Sequence, residues 1–338
     1  MTAPEPGASL RIHSETTDVT PSITQLQLTR ELTFDYAGAR DIDTVIGNIS
    51  GIAVEGGFAW TVSDEGRTFE RLAATDGGFA LVEQYDLDDF FPGLPEGHEA
   101  DLESVDVLDG RLWLCGSHCR VRQEPEEPGT LDPNFKRRPS RHLLGSIELG
   151  GSGKPKKGTG RALPYTGDGS LRRRLRDDTF LSSFLNLPSK ENGLDIEGVT
   201  LLPKRLLLGL RGPVIDSHAI VVSLPRKAAL LPDDKPHLHM LDLGGLGVRD
   251  LARRDDHVLV LAGPVTAADG PFRIHRWQPS GAGRIETADV LYEWTSSHEH
   301  PEGLCPFALD GRPGMLVAYD TPDGRRRSGT KVTVDWFA

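Results

Sequence analysis

A unit of about 53 residues recurs along this chain of 338 residues, and the repeat restricts the possible folds more than any other feature. Each copy has a polar or acidic residue, a short apolar strand, a turn and a stronger apolar strand. The five copies are NISGIAVEGGFAWTVSDEG from Asn48, DLESVDVLDGRLWLCGSH from Asp101, DIEGVTLLPKRLLLGLRGP from Asp195, VRDLARRDDHVLVLAGP from Val248 and HPEGLCPFALDGRPGMLVAYD from His300. Repeats of this length, with about four short strands each, are typical of a β-propeller.

The spacing of the repeats predicts the number of blades. The residues that align near the start of each copy are Ser50, Glu103, Glu197, Asp250 and Glu302. Three of the four intervals are 52 or 53 residues, and the interval between Glu103 and Glu197 is 94. That longer interval contains charged, Pro-rich and Gly-rich loop sequence but no further acidic anchor. We therefore predict an all-β propeller of five four-stranded blades, with six blades as the alternative if a degenerate blade lies in the gap.

Three further features complete the predicted organisation. An amphipathic helix is expected over 170–187, with Ser170 as its N-cap. The alternating stretch 23–34 is expected to pair with the C-terminal strand KVTVDWFA and so close the ring, which removes an exposed sheet edge. Residues 1–21 are expected to form a flexible tail, and 22–338 a single propeller domain with an insertion at about 120–190.

Charge and composition exclude several classes of partner. The formal net charge of −12 argues against a nucleic acid or an anionic membrane and suits a protein that attracts cations. The N-terminus has no apolar core of a signal peptide, and no run approaches the roughly 18 apolar residues of a membrane span, so a soluble cytoplasmic protein is expected. The three cysteines are too few for a disulfide framework, and CGSHC (115–119) lacks the second ligand pair of a zinc site.

The inner strand of a propeller blade faces a central channel, and residues two apart on a strand share a face. Paired side chains should therefore point into the channel from three blades. These pairs are Asp101 with Glu103, Asp195 with Glu197, and His300 with Glu302. The symmetry of the fold predicts a ring of acids around one axis, with Asp250 as a further member and Asn48 and Ser50 completing it. Such a ring must either protonate or hold a cation, and its hard oxygen ligands suit Ca²⁺, with Mg²⁺ or Mn²⁺ as alternatives.

The second strands are expected to add polar ends at the same level. These are Asp64, His118, Arg211 and Asp320. Arg211 either neutralises the acids or clamps an anionic substrate, with His118 and Asp320 as further substrate-binding candidates. His300 and Asp64 are the candidates for a catalytic base. The alternative is that the acids are structural and bond the backbone of neighbouring blades, above all Asp250, and that Arg211 forms a structural ion pair.

The motifs NISGIA, HEADLESV, NGLDIEGV, LLLGLRGPV and HPEGL resemble a bacterial family called domain of unknown function 3616, over roughly residues 35–325. The combination of NGLDIEGV with GLRGPV is the most specific part. The resemblance implies a β-propeller. More distantly, the chain is similar to esterase-like phytase and gluconolactonase-type propellers, which bind metal through acidic residues at one end of the channel and hydrolyse phosphate esters or lactones. Glu103, Glu197 and Glu302 match those acidic anchors.

Two functions follow as hypotheses. The first is a metal-assisted hydrolase of a small anionic ester or lactone, with a cation at the acidic ring. The second is a non-enzymatic scaffold or ligand-binding propeller that binds a small molecule or a protein. Direct pairing of Arg211 with two of the carboxylates would favour the second hypothesis.

Overall fold

The computed structural model describes residues 25–226, 235–266, 270–280, 285–294, 299–320 and 324–338. The strands of the first half are β1 Leu28–Asp35, β2 Ile49–Glu55, β3 Phe58–Ser63, β4 Thr68–Thr75, β5 Gly78–Asp86, β6 Leu102–Leu108, β7 Arg111–Gly116, β8 Arg120–Arg122, β9 Phe135–Arg137, β10 Leu144–Glu148 and β11 Arg161–Ala162. Those of the second half are β12 Asp195–Leu201, β13 Arg205–Gly212, β14 His218–Pro225, β15 His237–Asp242, β16 Gly247–Arg254, β17 His257–Gly263, β18 Phe272–Trp277, β19 Ile285–Thr287, β20 Asp289–Trp294, β21 His300–Pro306, β22 Met315–Asp320, β23 Arg327–Ser328 and β24 Lys331–Phe337.

The helical elements are short. The α-helices are α1 Ile42–Gly47 and α2 Leu171–Arg176, and the 3₁₀ turns are Leu87–Asp89, Pro139–Arg141 and Ser189–Glu191. Within the described ranges, no helix has the length and apolarity required to cross a membrane.

The strands form a ring of five four-stranded antiparallel blades, which confirms the predicted β-propeller. From the innermost strand outward, the blades are β2–β3–β4–β5, β6–β7–β10–β11, β12–β13–β14–β15, β16–β17–β18–β20 and β21–β22–β24–β1. The inner strands lie side by side in the order β2, β6, β12, β16 and β21, and β21 lies against β2 again. The interval between Glu103 and Glu197 is fully described and adds a β8–β9 hairpin, α2 and loops, so it holds no sixth blade.

The N-terminal strand closes the ring, as the sequence predicts. β1 is antiparallel to β24, with Thr33 opposite Thr333, and it also pairs in parallel with β5, where Thr33 lies opposite Gly78. A Cβ at residue 78 would lie 2.0 Å from the Thr33 carbonyl oxygen, so this contact requires glycine. β1 begins at Leu28, and the predicted tail 1–21 lies outside the described residues.

The inserted helix is shorter than the predicted span 170–187. Ser170 is its N-cap and accepts the backbone N–H of Arg173, but the α-helix ends at Arg176. Asp178 follows, and its Oδ1 accepts the backbone N–H groups of Phe180 and Leu181. This local side-chain bonding competes with helical hydrogen bonds and favours a turn. Apolar residues of the segment, among them Leu171, still pack into the buried cluster between blades 2 and 3.

Candidate functional site

Every inner strand has a β-bulge at the same level of the channel. At each bulge the register against the second strand slips by one residue. The residues in the five bulges are Ser50, Glu103, Glu197, Arg249 and Glu302. Because a bulge bends the strand and re-aims a side chain, the fold repeats one special position five times around the axis.

The bulge in blade 4 corrects the sequence alignment by one residue. The sequence places Asp250 with Glu103, Glu197 and Glu302, whereas the structure places Arg249 at that position. A shift of one residue turns a strand side chain to the opposite face. Blade 4 therefore contributes a cation, not an acid, to the layer of bulged residues.

The residues that follow the bulges close the channel, and we call them the closing layer. They are Gly51, Ser104, Gly198, Asp250 and Gly303. Asp250 accepts hydrogen bonds from Ser104 Oγ at 3.0 Å and from the backbone N–H groups of Leu251 at 2.8 Å and Leu304 at 2.7 Å. Asp250 thus bonds the backbone of the neighbouring blade 5, as the structural alternative expected, and its bond with Ser104 connects it to the non-adjacent blade 2.

The closing layer separates two cavities. The larger one, the mouth cavity, has a volume of about 600 Å³ and lies on the side of the bulged residues. The smaller one, of about 240 Å³, is lined by the later residues of four inner strands, within 52–55, 105–108, 251–253 and 304–306. Charged and titratable side chains dominate the wall of the mouth cavity. They are Asp64, Asp101, Glu103, Cys119, Arg122, Arg141, Lys190, Glu191, Asp195, Glu197, Arg211, Arg249, His300, Glu302 and Asp320.

Two arginines connect three of the carboxylates in the mouth cavity. Arg211 lies 2.6 Å from Asp195 Oδ2 and 2.8 Å from Glu197 Oε1. Arg249 lies 2.9 Å from Glu197 Oε2 and also contacts Glu302 Oε1. Burial opposes the charge of Arg211, but Asp195 and Glu197 outweigh it and raise its pKa. The guanidinium groups therefore neutralise part of the predicted acidic ring.

Two acids of the mouth cavity keep carboxylate oxygens without a partner among the residues that the structure describes. Asp195 Oδ1 is buried and accepts no hydrogen bond within the described part of the chain. Glu103 makes no ion pair or side-chain hydrogen bond with any residue that the structure describes. One carboxylate oxygen each of Glu103, Asp195 and Glu197 lies within 4.8 Å of the others, close enough to share one cation.

Burial and the charges of neighbouring acids raise the pKa values of Glu103 and Glu197. Burial raises the pKa of Glu103 well above its usual range, and the charges of Asp101 and Glu197 raise it further. Burial raises the pKa of Glu197 to about 7 even though Arg211 and Arg249 oppose the shift. A bound cation would remove much of this cost because it favours the charged form of each carboxyl group.

Asp101 belongs to a second pair at the same opening. Its Oδ2 accepts a hydrogen bond from Arg141 at 2.8 Å and a short one from Ser117 Oγ. Arg141 also reaches Glu99 at 2.7 Å. Burial raises the pKa of Asp101 to about 6, although Arg141 acts in the opposite direction. Asp101 therefore has its own counter-ion and stands apart from the cluster of Glu103, Asp195 and Glu197.

Blade 1 contributes backbone contacts at the level of the acids. Ser50 Oγ donates a hydrogen bond to the Leu102 carbonyl oxygen of the next blade at 2.5 Å. Asn48 donates from its side-chain amide to the Thr44 carbonyl oxygen at 2.9 Å. Both side chains are engaged within the protein, and neither lines the mouth cavity.

The candidates from the second strands, together with His300 of the inner strand β21, divide into two groups. Asp64, Asp320 and His300 line the mouth cavity, where the His300 ring packs on Phe272 with 5.9 Å between centroids. Burial raises the pKa of Asp64 to about 8, and the nearby charges of Asp320 and Asp101 act in the same direction. Asp64 Oδ1 is buried and has no hydrogen-bond partner among the described residues.

His118 does not line the mouth cavity. Its backbone is left-handed (φ 54°), and its ring lies in the interior, stacked on His142 with 5.4 Å between centroids. His118 Nε2 lies 3.2 Å from the Leu143 carbonyl oxygen. The neighbouring Cys119 lines the cavity instead. The left-handed turn thus redirects the chain at the point where an extended strand would have brought His118 to the opening.

Sequence reasoning missed Arg249 and Arg141. A small or acidic residue and then an apolar residue follow each bulge. In blade 3 this pair is Gly198–Val199, and in blade 4 it is Asp250–Leu251, so aligning the two pairs would have placed Arg249 at the bulge. Arg141 carries no such signal, because a loop outside the repeat brings it to Asp101.

Solved structures with a comparable architecture share little sequence with this chain. Glutaminyl cyclase from Myxococcus xanthus gives a TM-score of 0.47 at 10% identity, over 94% of this chain and 97% of the other. The exo-β-1,3-galactanase 1,3Gal43A from Clostridium thermocellum gives 0.48 at 9% identity, over 92% and 62%. A putative 6-phosphogluconolactonase from Bacteroides uniformis gives 0.38 at 11% identity, over 87% and 78%. At such values the likeness concerns architecture and carries no activity with it.

The family comparison is more direct. A search of curated proteins finds no match. Residues 48–335, which include all five bulges and every residue of the mouth cavity, match the family described as "Protein of unknown function (DUF3616)". The chain therefore belongs to this family.

Proposed function

We propose that the mouth cavity binds a divalent cation through Glu103, Asp195 and Glu197 and uses it to hydrolyse a small anionic ester or lactone. One observation carries the proposal: three carboxylates from two blades converge within 4.8 Å. One of them, Asp195, keeps a buried oxygen without a hydrogen-bond partner among the described residues.

The donor set fits a hard cation. The three candidate ligands offer carboxylate oxygens, which suit Ca²⁺, Mg²⁺ or Mn²⁺ better than a metal that prefers thiolate or imidazole. Arg211 contacts only one oxygen of Asp195 and one of Glu197, while the second oxygen of Glu197 faces Arg249. Asp195 Oδ1 and both oxygens of Glu103 are therefore the donors that a cation would meet first, and the ion pairs hold Asp195 and Glu197 in place beside them.

The other cavity residues suit hydrolysis. The bound cation would polarise the scissile bond and activate a water molecule. Asp64, with a pKa of about 8, holds a proton at neutral pH and can donate it to the leaving group. His300 lines the same cavity and is the candidate base. Lys190 also lines the wall and is a candidate contact for an anionic substrate, whereas Arg122 is paired with Glu191.

The test uses the purified full chain after treatment with a chelator. Calorimetric titration with Ca²⁺, Mg²⁺ and Mn²⁺ should show one site, and Glu103→Gln should weaken it by at least tenfold. Glu103 is the best position for this variant because it has no ion pair to lose within the described part of the chain. Glu55→Gln is the matched control, since Glu55 is an exposed acid that lines the opposite cavity.

Hydrolysis is then measured with phosphate monoesters and lactones. Turnover should require the cation and should be lost in Glu103→Gln but not in Glu55→Gln. The proposed cation site is wrong if none of the three cations binds to the wild-type protein. It is also wrong if Glu103→Gln and Glu55→Gln bind the cation with equal affinity. If the cation binds and no substrate is turned over above the level of Glu103→Gln, the hydrolase part is wrong.

The second candidate is a ligand-binding propeller without catalysis. The pairing of Arg211 with two carboxylates favours it, because an internally neutralised cluster can serve as a rigid wall. In that case chelation should leave the mouth cavity able to bind a small molecule or a protein.

A further inference from the structure

Four arginines gather on the inserted segment, and none of them has an acidic partner in the described part of the chain. Two come from the β8–β9 hairpin, where Arg120 lies directly opposite Arg137. The other two, Arg172 and Arg176, lie four residues apart on α2. Arg172 is within electrostatic reach of the other three. We call this group the arginine cluster.

Three members of the arginine cluster have no counter-ion among the described residues. Arg120, Arg137 and Arg176 make no side-chain hydrogen bond or ion pair with any residue that the structure describes. Arg172 uses its guanidinium for two short contacts, with the carbonyl oxygens of His118 and Leu185.

Neighbouring arginines on the same elements are paired. Arg122 of β8 bonds Glu191, with 2.7 Å between Nη2 and Oε2, and Arg173 of α2 bonds Asp177 at 2.7 Å. A shortage of acids does not explain the difference, since the chain has 50 acidic and 38 basic side chains. The cluster is therefore a local excess of positive charge on a protein whose net charge is −12.

The arrangement costs stability in the absence of a ligand. Like charges directly opposite on paired strands repel each other, as do like charges at positions i and i+4 of a helix. Arg120 and Arg137 are in the first relation, and Arg172 and Arg176 are in the second. Burial lowers the pKa of Arg172 to about 10, and the charge of Arg120 adds to the effect. An anion among the four side chains would offset the repulsion at each pair.

We propose that the arginine cluster is a binding site for a phosphoryl group. A guanidinium presents a planar fork of donors that matches phosphate oxygens, and several forks around one group suit a dianion better than a carboxylate. None of the four arginines lines the mouth cavity, so this site is separate from the proposed cation site. The phosphoryl group can belong to free phosphate, pyrophosphate or a phosphate ester.

The test is calorimetric titration of the full chain with inorganic phosphate, pyrophosphate and a phenyl phosphate ester at constant ionic strength. The variant is Arg137→Gln/Arg176→Gln, which removes two unpaired guanidinium groups. Its matched control is Arg173→Gln/Arg276→Gln, which removes two charges that pair with Asp177 and Asp289. Removing two charge-assisted contacts should weaken binding roughly a hundredfold, and the control should change it less than about threefold.

Thermal unfolding without added anion separates binding from folding. The Arg137→Gln/Arg176→Gln variant should melt at the same temperature as wild type or higher, because repulsion is relieved. Binding of phosphate or pyrophosphate alone identifies the free anion as the ligand, and tighter binding of the ester identifies an ester. If none of the three probes binds, or if the variant and its control lose affinity equally, the proposal is overturned.

Discussion

Acidic side chains on the two sides of the closing layer have different kinds of partner. Asp106 lines the smaller cavity, and its carboxylate accepts the backbone N–H groups of Leu201 at 2.8 Å and Val107 at 2.7 Å. Asp250, in the closing layer, is satisfied in the same manner. In the mouth cavity, by contrast, acids contact guanidinium groups or keep an oxygen without a partner among the described residues. The first arrangement fixes neighbouring blades together, whereas the second leaves capacity for a ligand.

An acidic residue on an inner strand does not by itself indicate a ligand-binding site. Its role depends on whether backbone amides of the next blade reach it. Where they do, the carboxylate accepts their hydrogen bonds, connects two inner strands and stabilises the ring. Where they do not, the charge must be balanced by an arginine or by something that enters from solvent.

The largest expected effect comes from breaking the charge balance of the mouth cavity with Arg249→Met. The change leaves Glu197 and Glu302 without the cation that lies between them, and removing one partner of a buried ion pair costs about 3–5 kcal/mol of unfolding free energy. Urea denaturation measures the loss. Added Ca²⁺ or Mn²⁺ should restore part of it, because the site then has more negative charge to offer. An unchanged urea midpoint would contradict the role of Arg249.

Asp250→Ala tests the structural side of the comparison. The change leaves two backbone N–H groups and the Ser104 hydroxyl without their acceptor, and each buried unsatisfied donor costs roughly 1–3 kcal/mol. We expect a destabilisation of about 3 kcal/mol in urea denaturation. Calorimetric cation affinity at the mouth cavity should stay close to that of wild type. A large loss of affinity in a folded Asp250→Ala protein would show that the two sides are not independent.

Glu70 makes the unfolding free energy depend on pH, and this effect must be separated from the titration of the acids in the mouth cavity. It is fully buried inside blade 1, and burial raises its pKa from 4.5 to about 7. Because the folded-state pKa is raised, the protonated form stabilises the protein below about pH 4.5, and this contribution is lost as the pH rises to 7. The expected loss is on the order of 3 kcal/mol.

The variant Glu70→Gln mimics the protonated side chain, so its unfolding free energy should vary less as the pH rises from mildly acidic to mildly basic. Thermal and urea unfolding across this range provide the measurement. Equal pH profiles for Glu70→Gln and wild type would assign the titration to other groups, such as those at the mouth.

The smallest expected effect is a gain of stability in Glu103→Gln. Burial raises the pKa of Glu103, and without a cation the charges of Asp101 and Glu197 add to the cost of its ionised form. The folded state therefore loses stability as the pH rises and Glu103 ionises. In the presence of a chelator at basic pH, Glu103→Gln should be more stable than wild type by about 1 kcal/mol, the size of one close like-charge contact in water. A loss of stability would mean that Glu103 has a structural role.

The repeat in the sequence predicts the ring because blade spacing and strand alternation are local patterns. In blade 4 the repeat VRDLARRDDHVLVLAGP, with its two apolar strands around a turn, corresponds to β16 and β17. The pairing of the N-terminal strand with KVTVDWFA follows from an incomplete last unit, and β1 and β24 confirm it.

The details of the site depend on structural features that leave the repeat pattern of the sequence unchanged. A bulge moves a side chain by one position without changing the period, so the sequence favours Asp250 where the structure has Arg249. His118 has a left-handed backbone, and its ring stacks on His142 in the interior instead of lining the mouth cavity. Arg141 reaches Asp101 from a loop outside the repeat. These are tertiary effects, and the alternation of apolar residues is the same with or without them.

The position of β1 has a consequence for biosynthesis. This strand leaves the ribosome before all the other described strands, yet its antiparallel partner, Lys331–Phe337, follows all of them. Four blades can assemble while the fifth still lacks its two outer strands. Nascent β1 must therefore wait, with one edge unpaired, until that partner has been translated, and a product truncated before Lys331 would keep an open seam between its first and last blades.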